Sequence, residues 1–384
     1  MANLRKRHIA LLIYDLRCGG AERVATQLAC GLHRREYRIS ILTLRGPEPP
    51  FYPLDSGVDL VPLDVLAGEG TITDRLRRVP RAVGQLRIRL TEIQPDALLA
   101  FMTECNVLAL LATRILDRLP FPVIVNERVH PALTEQRLFA CAARYVTFPF
   151  ADAVTTCSRG MAPWYERWLP AQKVVPIQNP VVVDGRPDDP AAEALAVRMR
   201  GERHVLAMGR LAPQKGFDML LEAYARLPLR WRRGWSLGIL GEGGQREELQ
   251  RQIKRLGLQG EAVLLGRYAN PYPILRAGDI FCLSSRYEGF PNALTEAMAC
   301  GLPAVAFDCP TGPSEIIREG HDGLLVPPGD VDGLSEALGR LMRDDRLRTR
   351  MARRAPEVRE RFGVEGFLDA WEGLLGEIGM RNEE

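Results

Sequence analysis

The chain has 384 residues, more than the roughly 250–300 at which a single hydrophobic core usually stops growing, so we expect two domains. Its composition, 46% hydrophobic and 26% charged, is ordinary for a globular protein and leaves room for two sizeable cores. The formal net charge is only +3, but residues 1–180 hold 23 Lys and Arg against 17 Asp and Glu, which makes the first half the basic one.

Short apolar runs alternate with segments of helical periodicity along the whole chain. In the first half the strand candidates are residues 8–14, 38–44, 97–101, 123–126, 153–156 and 174–177. In the second half they are residues 205–208, 236–240, 262–265, 280–283, 304–307 and 323–326. This alternation favours a parallel sheet with helices on both faces, twice over. Turn formers and charges at 179–190 predict the connection between the halves.

The loop after the first strand candidate contains Gly19 and Gly20. Neither G-x-x-x-x-G-K-S/T nor G-x-G-x-x-G is present there, which disfavours a kinase and a nicotinamide-dependent enzyme. The glycine pair either makes a tight turn that starts a helix close to the strand, or lets the backbone approach a substrate phosphate. We favour the second reading because ligands bind at this rim of a doubly wound sheet.

Residues 74–90 combine many arginines with an apolar stripe at helical spacing. The stripe consists of Leu76, Val79, Val83, Leu86 and Leu90. The arginines around it are Arg75, Arg77, Arg78, Arg81, Arg87 and Arg89. Such a helix either lies on an anionic membrane with its stripe facing the lipid, or packs the stripe into its own domain. Pro80 would interrupt or start the helix.

The strand candidate at 123–126 continues into Glu127, Arg128, Val129, His130 and Pro131. This segment ends at the same rim of the first sheet as the glycine loop. A lone histidine is more often a surface or core residue than a catalyst, but the neighbouring charged pair favours a substrate contact.

A charged loop follows the strand candidate at 205–208 and contains Arg210 and Lys215. Helical periodicity resumes at Phe217, so the loop joins a strand to a helix at the edge where open α/β sheets bind ligands. Arginine offers a planar fork to two phosphate oxygens and lysine a compact charge. Together they would hold a leaving diphosphate without a metal ion.

Residues 286–301, R-Y-E-G-F-P-N-A-L-T-E-A-M-A-C-G, are the most informative stretch. Glu288 and Glu296 flank a tight turn at 289–292 that opens a helix, with Asn292 as the predicted N-cap. Backbone N–H groups and the helix dipole there suit a phosphate, and the carboxylates accept hydrogen bonds from hydroxyls. A ligand that carries both phosphates and many hydroxyls is a nucleotide sugar. The alternative is a capped core helix with one exposed and one paired glutamate.

Together these segments resemble the family 4 glycosyltransferases, which are retaining enzymes. The resemblance covers nearly the whole chain and includes residues 18–23, 240–243, 265–267 and 308–315. It implies the α/β GT-B fold, with two doubly wound Rossmann-like domains facing a cleft. The implied parts are an acceptor-binding domain at 1–180, a linker at 181–202, a nucleotide-sugar domain at 203–360, and a helix at 361–384 that crosses back to the first domain.

The resemblance also implies roles for individual residues. Arg210 and Lys215 would hold the donor diphosphate and Glu288 the hydroxyls of the transferred sugar, and these three form the catalytic set. Glu296 would hold the ribose. The other implied substrate contacts are Gly19, Gly20, Glu127, Arg128, His130, Arg267, Gly289, Phe290, Pro291 and Asn292. No metal and no cofactor is implied.

The implied reaction moves a hexose or N-acetylhexosamine from a UDP-sugar to a glycan acceptor linked to polyprenyl diphosphate. Family members with such acceptors carry a Glu-Arg-Asn-Asp-Pro-like run, which this chain matches at Glu127, Arg128 and Pro131 but not at Val129 and His130. A nucleotide-sugar epimerase of the same fold and a non-catalytic nucleotide-sugar sensor are the alternatives. An anionic membrane surface is an expected partner, and nucleic acid is not.

Targeting signals and cysteines predict the compartment. No secretory signal and no run of the ~18 apolar residues that span a bilayer is visible. The eight cysteines are scattered without C-x-x-C spacing. We therefore expect a reduced, cytoplasmic protein that associates with the inner face of the plasma membrane.

Overall fold

The structure is a computed structural model that describes residues 7–65, 72–131, 138–183 and 187–381. The chain divides into two compact units. Unit 1 comprises Met1–Pro180 and Val364–Glu384, and unit 2 comprises Val181–Gly363.

Unit 1 is built on a parallel sheet of seven described strands. The strands are β1 (His8–Ile13), β2 (Arg38–Thr43), β3 (Val58–Pro62), β4 (Ala97–Phe101), β5 (Val123–Glu127), β6 (Ala153–Thr156) and β7 (Val174–Pro176). The helices are α1 (Gly20–Arg34), α2 (Ile72–Ile93), α3 (Thr103–Leu110), α4 (Leu138–Thr147) and α5 (Ala162–Glu166). The strand order is β3-β2-β1-β4-β5-β6-β7.

Unit 2 repeats this plan with six described strands. They are β8 (Arg203–Met208), β9 (Trp235–Leu240), β10 (Ala262–Gly266), β11 (Ile280–Leu283), β12 (Ala304–Phe307) and β13 (Gly323–Val326). The helices are α6 (Pro190–Met199), α7 (Phe217–Arg226), α8 (Leu229–Arg232), α9 (Arg246–Arg255), α10 (Tyr272–Arg276), α11 (Asn292–Ala299), α12 (Pro313–Ile316), α13 (Val331–Arg343), α14 (Asp345–Arg354) and α15 (Val358–Arg361). The strand order is β10-β9-β8-β11-β12-β13.

In both sheets the order of strands reverses at one point, between β1 and β4 in unit 1 and between β8 and β11 in unit 2. All pairings between the described strands are parallel. Each unit is therefore doubly wound, and the prediction of two Rossmann-like domains is confirmed. Ligands of such sheets bind beyond the carboxyl ends of the strands at the reversal.

Every strand candidate is a strand in the structure, within two residues at either end. The sequence prediction missed β3. The sequence of this edge strand, V-D-L-V-P, has no continuous apolar run, and only Val58 is buried. Pro62 also disfavours a strand. In the segment 181–202, where a linker was expected, α6 packs on α10 and belongs to unit 2.

The amino ends of the two sheets are anchored in the same way. In unit 1 the backbone N–H of His8 donates to Asp96, 2.6 Å away, and the buried ring bonds to the hydroxyl of Ser40 at 2.8 Å. His204, Ser236 and Asp279 repeat the arrangement in unit 2. Burial, and then the charge of Arg38, lower the pKa of His8 below its ordinary 6.5.

The arginine-rich segment forms helix α2, and Pro80 lies inside it without interrupting it. Val83, Leu86 and Leu90 are buried within unit 1. The predicted contact of this stripe with a membrane is therefore wrong for these residues, because the stripe packs into its own domain. Arg87 bonds to Asp117 and Arg89 pairs with Glu92. The side chains of Arg75, Leu76 and Arg77 lie outside the described residues.

Helix α16 (Val364–Arg381) returns to unit 1 after unit 2 is complete. Trp371, Leu374 and other apolar residues of this helix are part of the same buried core as β1, β4 and α1. The ring of Trp371 lies 6.3 Å from that of Phe101. Arg35 at the end of α1 pairs with three carboxylates of α16, those of Glu365, Asp369 and Glu372. Both apolar packing and ion pairs thus attach α16 to unit 1.

The side chains of seven of the eight cysteines are described, and all seven are free thiols. None of the described helices combines the length and the apolar character that a bilayer-spanning segment needs.

Candidate functional site

The loops that the sequence singled out in unit 2 leave neighbouring strands at the reversal of its sheet. Strand β11 lies beside β8, with Ile280 opposite Val205 and Phe281 opposite Leu206. The loop at 209–216 follows β8 and the loop at 284–291 follows β11, so both emerge at the carboxyl edge. This edge is where doubly wound sheets bind ligands.

Lys215 and Glu288 are brought together by these loops. Lys215 Nζ lies 2.6 Å from Glu288 Oε1, and the hydroxyl of Ser285 donates to the same oxygen at 2.6 Å. Glu288 is only 4% exposed. A carboxylate buried to this extent stays charged only with such partners, so the cation and the hydroxyl compensate for its lost hydration. No described protein donor bonds to the second oxygen, Oε2.

The path of the lysine loop requires glycine at one position. Gly216 has a φ of 60°, and a Cβ atom there would lie 2.0 Å from the carbonyl oxygen of Ser284. Ser284 in turn donates its hydroxyl to the carbonyl oxygen of Lys215 at 2.9 Å. Gln214 donates to the carbonyl oxygen of Tyr287 at 3.0 Å. These contacts hold the two loops in one register, which fixes where Lys215 can reach.

A bidentate ion pair braces the same loops. Arg286 donates to both carboxylate oxygens of Asp218, at 2.8 and 2.6 Å, and to the carbonyl oxygen of Pro213 at 2.7 Å. Burial would raise the pKa of Asp218, but hydrogen bonds and the charge from Arg286 outweigh it, and the pKa is lowered. The brace ties the first turn of α7 to the loop after β11.

The turn at 289–292 differs from its prediction. The N-cap of α11 is Pro291, and Asn292 is the first helical residue, so the prediction of Asn292 as the N-cap is wrong. The N–H of Asn292 donates to the carbonyl oxygen of Phe290 at 2.9 Å, and Pro291 has no N–H. Among the described residues no acceptor binds the amides of Gly289 and Phe290. These two amides, rather than four, are available to a ligand.

The other predicted residues of unit 2 occupy different environments. Glu296 lies on α11 and is buried. Arg210 follows β8 and Arg267 follows β10, and both side chains are exposed. Within the described ranges, neither guanidinium has a hydrogen-bonding or ion-pairing partner. The alternative of one exposed and one paired glutamate is wrong, because both Glu288 and Glu296 are buried.

Cys309 and Thr311 also contact this region, and the sequence argument assigned them no role. Thr311 donates its hydroxyl to the carbonyl oxygen of Glu288 at 2.6 Å. Burial, and then the nearby charge of Glu288, raise the pKa of the Cys309 thiol to about 12. Ser285 and the Arg286–Asp218 brace were missed as well. Serine and arginine are common in loops, so only their contacts show what they do here.

In unit 1, Glu127 is the centre of an internal network and is 1% exposed. Its Oε1 accepts from Asn106 at 2.8 Å. Its Oε2 accepts from the hydroxyl of Tyr165 at 3.0 Å and from Arg144 and Thr103 at 3.2 Å. Arg144 is also fully buried. All these partners belong to unit 1, and the substrate contact of Glu127 stays a prediction.

Arg128 and His130 follow Glu127 along the chain. Arg128 is buried and donates to the amide oxygens of Asn179 at 2.5 Å and Asn126 at 3.4 Å. Burial lowers its pKa. His130 is half-buried, with its ring 6.4 Å from that of Trp164, and burial also lowers its pKa. Arg128 therefore faces neutral oxygens, whereas His130 borders a group of aromatic rings.

Gly19 and Gly20 lie at the start of α1, and Gly19 is its N-cap. A Cβ atom on Gly19 would lie 2.0 Å from Oε2 of Glu22, so the carboxylate of Glu22 folds back over this end of the helix. The observed arrangement is a close turn into a helix. The phosphate contact of the glycine pair stays a prediction.

Comparison with known proteins identifies the family. Residues 197–358 match the family described as "Glycosyl transferases group 1", and residues 19–180 match the family described as "Glycosyl transferase 4-like domain". The chain belongs to the group 1 glycosyltransferases. It is therefore a glycosyltransferase, and the resemblance to this family is confirmed.

Relatives of this group 1 glycosyltransferase act in bacterial glycan synthesis. A Campylobacter jejuni enzyme is 28% identical over 96% of this chain and 98% of its own length. Its name describes an α-1,4-N-acetyl-D-galactosaminyltransferase that acts on a glycan linked to undecaprenyl diphosphate. A Streptomyces coelicolor exopolysaccharide phosphotransferase is 36% identical over 62% of this chain, which spans only 24% of that protein.

Solved structures show that this glycosyltransferase has the GT-B fold. Sucrose-phosphate synthase from Thermosynechococcus elongatus superposes with a TM-score of 0.84 at 19% identity, over 97% of this chain and 99% of that chain. HepE from Anabaena, solved in complex with UDP and glucose, gives a TM-score of 0.75 at 21% identity, over 97% of this chain and 100% of that chain. Similarity at this identity concerns the fold alone.

Proposed function

We propose that this enzyme is a retaining glycosyltransferase that moves a hexose or N-acetylhexosamine from a UDP-sugar to a glycan linked to polyprenyl diphosphate. The observation that carries the proposal is the pair of Lys215 with the buried Glu288 at the carboxyl edge of the unit 2 sheet. It places a cation for phosphate and a carboxylate for hydroxyls at one point. The lipid-linked acceptor rests on the name of the Campylobacter relative.

In this proposal the cation and the carboxylate act on different parts of the donor. Lys215, Arg210 and the amides of Gly289 and Phe290 bind the diphosphate. Glu288 accepts hydrogen bonds from the transferred sugar through Oε2, and Glu296 from the ribose. The bond between the anomeric carbon and the phosphate oxygen breaks through an oxocarbenium-like transition state, and the positive groups stabilise the charge that develops on the departing diphosphate. No metal ion takes part.

The proposed division of the molecule follows the two units. Unit 2 would bind the donor, since it holds Lys215, Glu288 and Glu296. Unit 1 would bind the acceptor, with Gly19, Gly20, Arg128 and His130 as its candidate contacts. The enzyme would work at the cytoplasmic face of a membrane, where a polyprenyl-linked acceptor is anchored.

The test is product analysis with UDP-sugars, with and without a detergent extract of bacterial lipid-linked oligosaccharide. We expect UDP release that depends on the extract, and a product whose anomeric configuration, measured by NMR, equals that of the donor. Isomerised UDP-sugar without acceptor, or tight binding without turnover, would contradict the proposal. An inverted product would contradict retention alone.

A further inference from the structure

Three large apolar side chains of unit 1 are exposed within six consecutive residues of the chain. Tyr145 and Val146 of α4 are 49% and 64% exposed, and Phe150 of the following 3₁₀ turn is 52% exposed. Val146 lies in the last turn of α4, and Phe150 ends the 3₁₀ turn that follows this helix. We call these three residues the α4 strip. Groups of exposed apolar side chains mark surfaces that contact proteins or membranes.

Tyr145 of the α4 strip packs on a group of aromatic rings. The ring of Tyr145 lies 4.5 Å from that of Trp168 and 5.9 Å from that of Trp164, and both tryptophans are partly exposed. Phe148 packs beneath, 6.4 Å from Trp168. Tryptophan and tyrosine are the side chains that prefer the headgroup level of a bilayer, because each combines an apolar ring with a polar atom.

Cations border the α4 strip. Lys173 Nζ donates to the carbonyl oxygens of Pro149 and Ala151, at 3.0 and 2.8 Å, so its ammonium group lies beside Phe150. Arg167 precedes Trp168 and is exposed. Glu166 is an exposed acid on the same helix, so the border is positive but not uniformly so. Apolar rings with a cationic border match an anionic lipid surface, each cation near it contributing to binding.

Helix α2 does not offer such a surface, since Val83, Leu86 and Leu90 of its stripe are buried within unit 1. We propose that the α4 strip inserts into the headgroup region of an anionic bilayer, with Lys173 and Arg167 at the lipid phosphates. The inference deepens the proposed function, because it names the surface through which the enzyme reaches a lipid-linked acceptor. The occupant is the bilayer, not a second copy of the chain.

The test is sedimentation of the full-length enzyme with liposomes of phosphatidylcholine alone or mixed with phosphatidylglycerol. Wild type should bind the mixed liposomes and bind them less as salt is raised. Val146→Ser with Phe150→Ser should lower the partition coefficient by roughly tenfold or more, since two apolar side chains no longer leave water. Tyr145 is retained in this variant because it packs on the tryptophans.

The matched control replaces two exposed apolar residues of unit 2, Val197→Ser and Leu229→Ser, which should leave liposome binding unchanged. Calorimetric UDP binding and the thermal unfolding midpoint should be equal in all three proteins, which separates this inference from the proposed function and from misfolding. Lipids with brominated acyl chains should quench tryptophan fluorescence in wild type and the control only.

Two results would overturn the inference. One is equal binding of wild type and the Val146→Ser/Phe150→Ser variant to mixed liposomes. The other is a wild-type dimer that this variant converts to a monomer without any change in liposome binding, because the α4 strip would then be an interface between copies.

Discussion

Lys215 Nζ donates to Glu288 Oε1 at 2.6 Å across two loops that are 73 residues apart in the chain. A ligand that binds the ammonium group of Lys215 also changes the environment of Glu288, because a buried carboxylate is stabilised by its cationic partner. The proposed diphosphate site and the proposed sugar site are therefore electrostatically coupled. Substitution of either residue should affect the other.

Replacing Lys215 with alanine should lower kcat by about 10²–10³-fold, the range for removing one preorganised donor at a developing oxyanion. Affinity for UDP should also fall. Steady-state UDP release in the presence of acceptor measures the first quantity and calorimetry the second. Lys254→Ala, an exposed lysine on α9, is the matched control. Turnover near that of wild type would remove Lys215 from the mechanism.

Replacing the two buried glutamates should separate nucleotide from sugar. Glu296→Ala should weaken UDP binding about 10–100-fold, the effect of losing a hydrogen bond to a charged group. Glu288→Ala should leave UDP binding nearly intact and damage transfer, because in the proposed mechanism its carboxylate binds the sugar and not the nucleotide. Calorimetric titration of both variants with UDP measures these affinities, and Glu247→Ala, at an exposed glutamate, is the control. Equal losses of UDP affinity would refute the division of roles.

Replacing Glu127 should unfold unit 1 more readily rather than merely weaken acceptor binding. Glu127→Ala removes the buried carboxylate to which Asn106, Arg144 and Tyr165 donate, which we expect to cost about 3–5 kcal/mol of unfolding free energy. Urea denaturation measures this. The double variant Glu127→Leu/Arg144→Met should recover much of the loss, because apolar side chains then replace both members of the ion pair. A single variant as stable as wild type would contradict the structural role.

Acid should weaken unit 1 through His8. Because its pKa is lowered in the folded state, the folded protein binds fewer protons than the unfolded chain as pH falls below 6.5, and stability declines. In His8→Gln residue 8 does not titrate, so its free energy of unfolding lacks this pH dependence. The difference in unfolding free energy between wild type and variant should therefore narrow from pH 7.5 to 5.5, by at most about 1.4 kcal/mol per pH unit. Urea denaturation at both pH values measures it, and a constant difference would exclude His8.

Activity should survive EDTA. In the proposed mechanism Lys215, Arg210 and two backbone amides supply the positive charge that a divalent ion supplies in other enzymes. The measurement is UDP release before and after chelation. Loss of activity that Mg²⁺ or Mn²⁺ restores would show that these groups are insufficient.

Strands and the site loops of unit 2 could be predicted from sequence because their signals are local. A continuous apolar run such as Ile280–Leu283 predicts a buried parallel strand, and a charged loop after it lies at the ligand edge. Two such loops after neighbouring strands, one with Lys215 and the other with Glu288, predict that these two residues lie at the same edge. The edge strand β3 lacks the apolar run and was missed for that reason.

Burial of the charged residues in unit 1 could not be predicted. The run from Glu127 to His130 was interpreted as a ligand-facing segment, but Glu127 is enclosed by donors from α3, α4 and α5. Those helices lie up to 38 residues away in the chain, and only the fold brings them together. The burial of the α2 stripe could not be predicted either, because amphipathic spacing alone does not say whether lipid or protein covers the apolar face.

The return of α16 to unit 1 has a consequence for synthesis of the protein. Residues 1–180 leave the ribosome first, but the surface of β1, β4 and α1 that packs on Trp371 stays uncovered until residues 364–381 are made. At typical rates of chain elongation, that delay is about 10–40 s. Unit 2, which is continuous in sequence, can complete its fold during this interval. Unit 1, although it is translated first, is therefore the last to mature, and its nascent form is the one most in need of a chaperone.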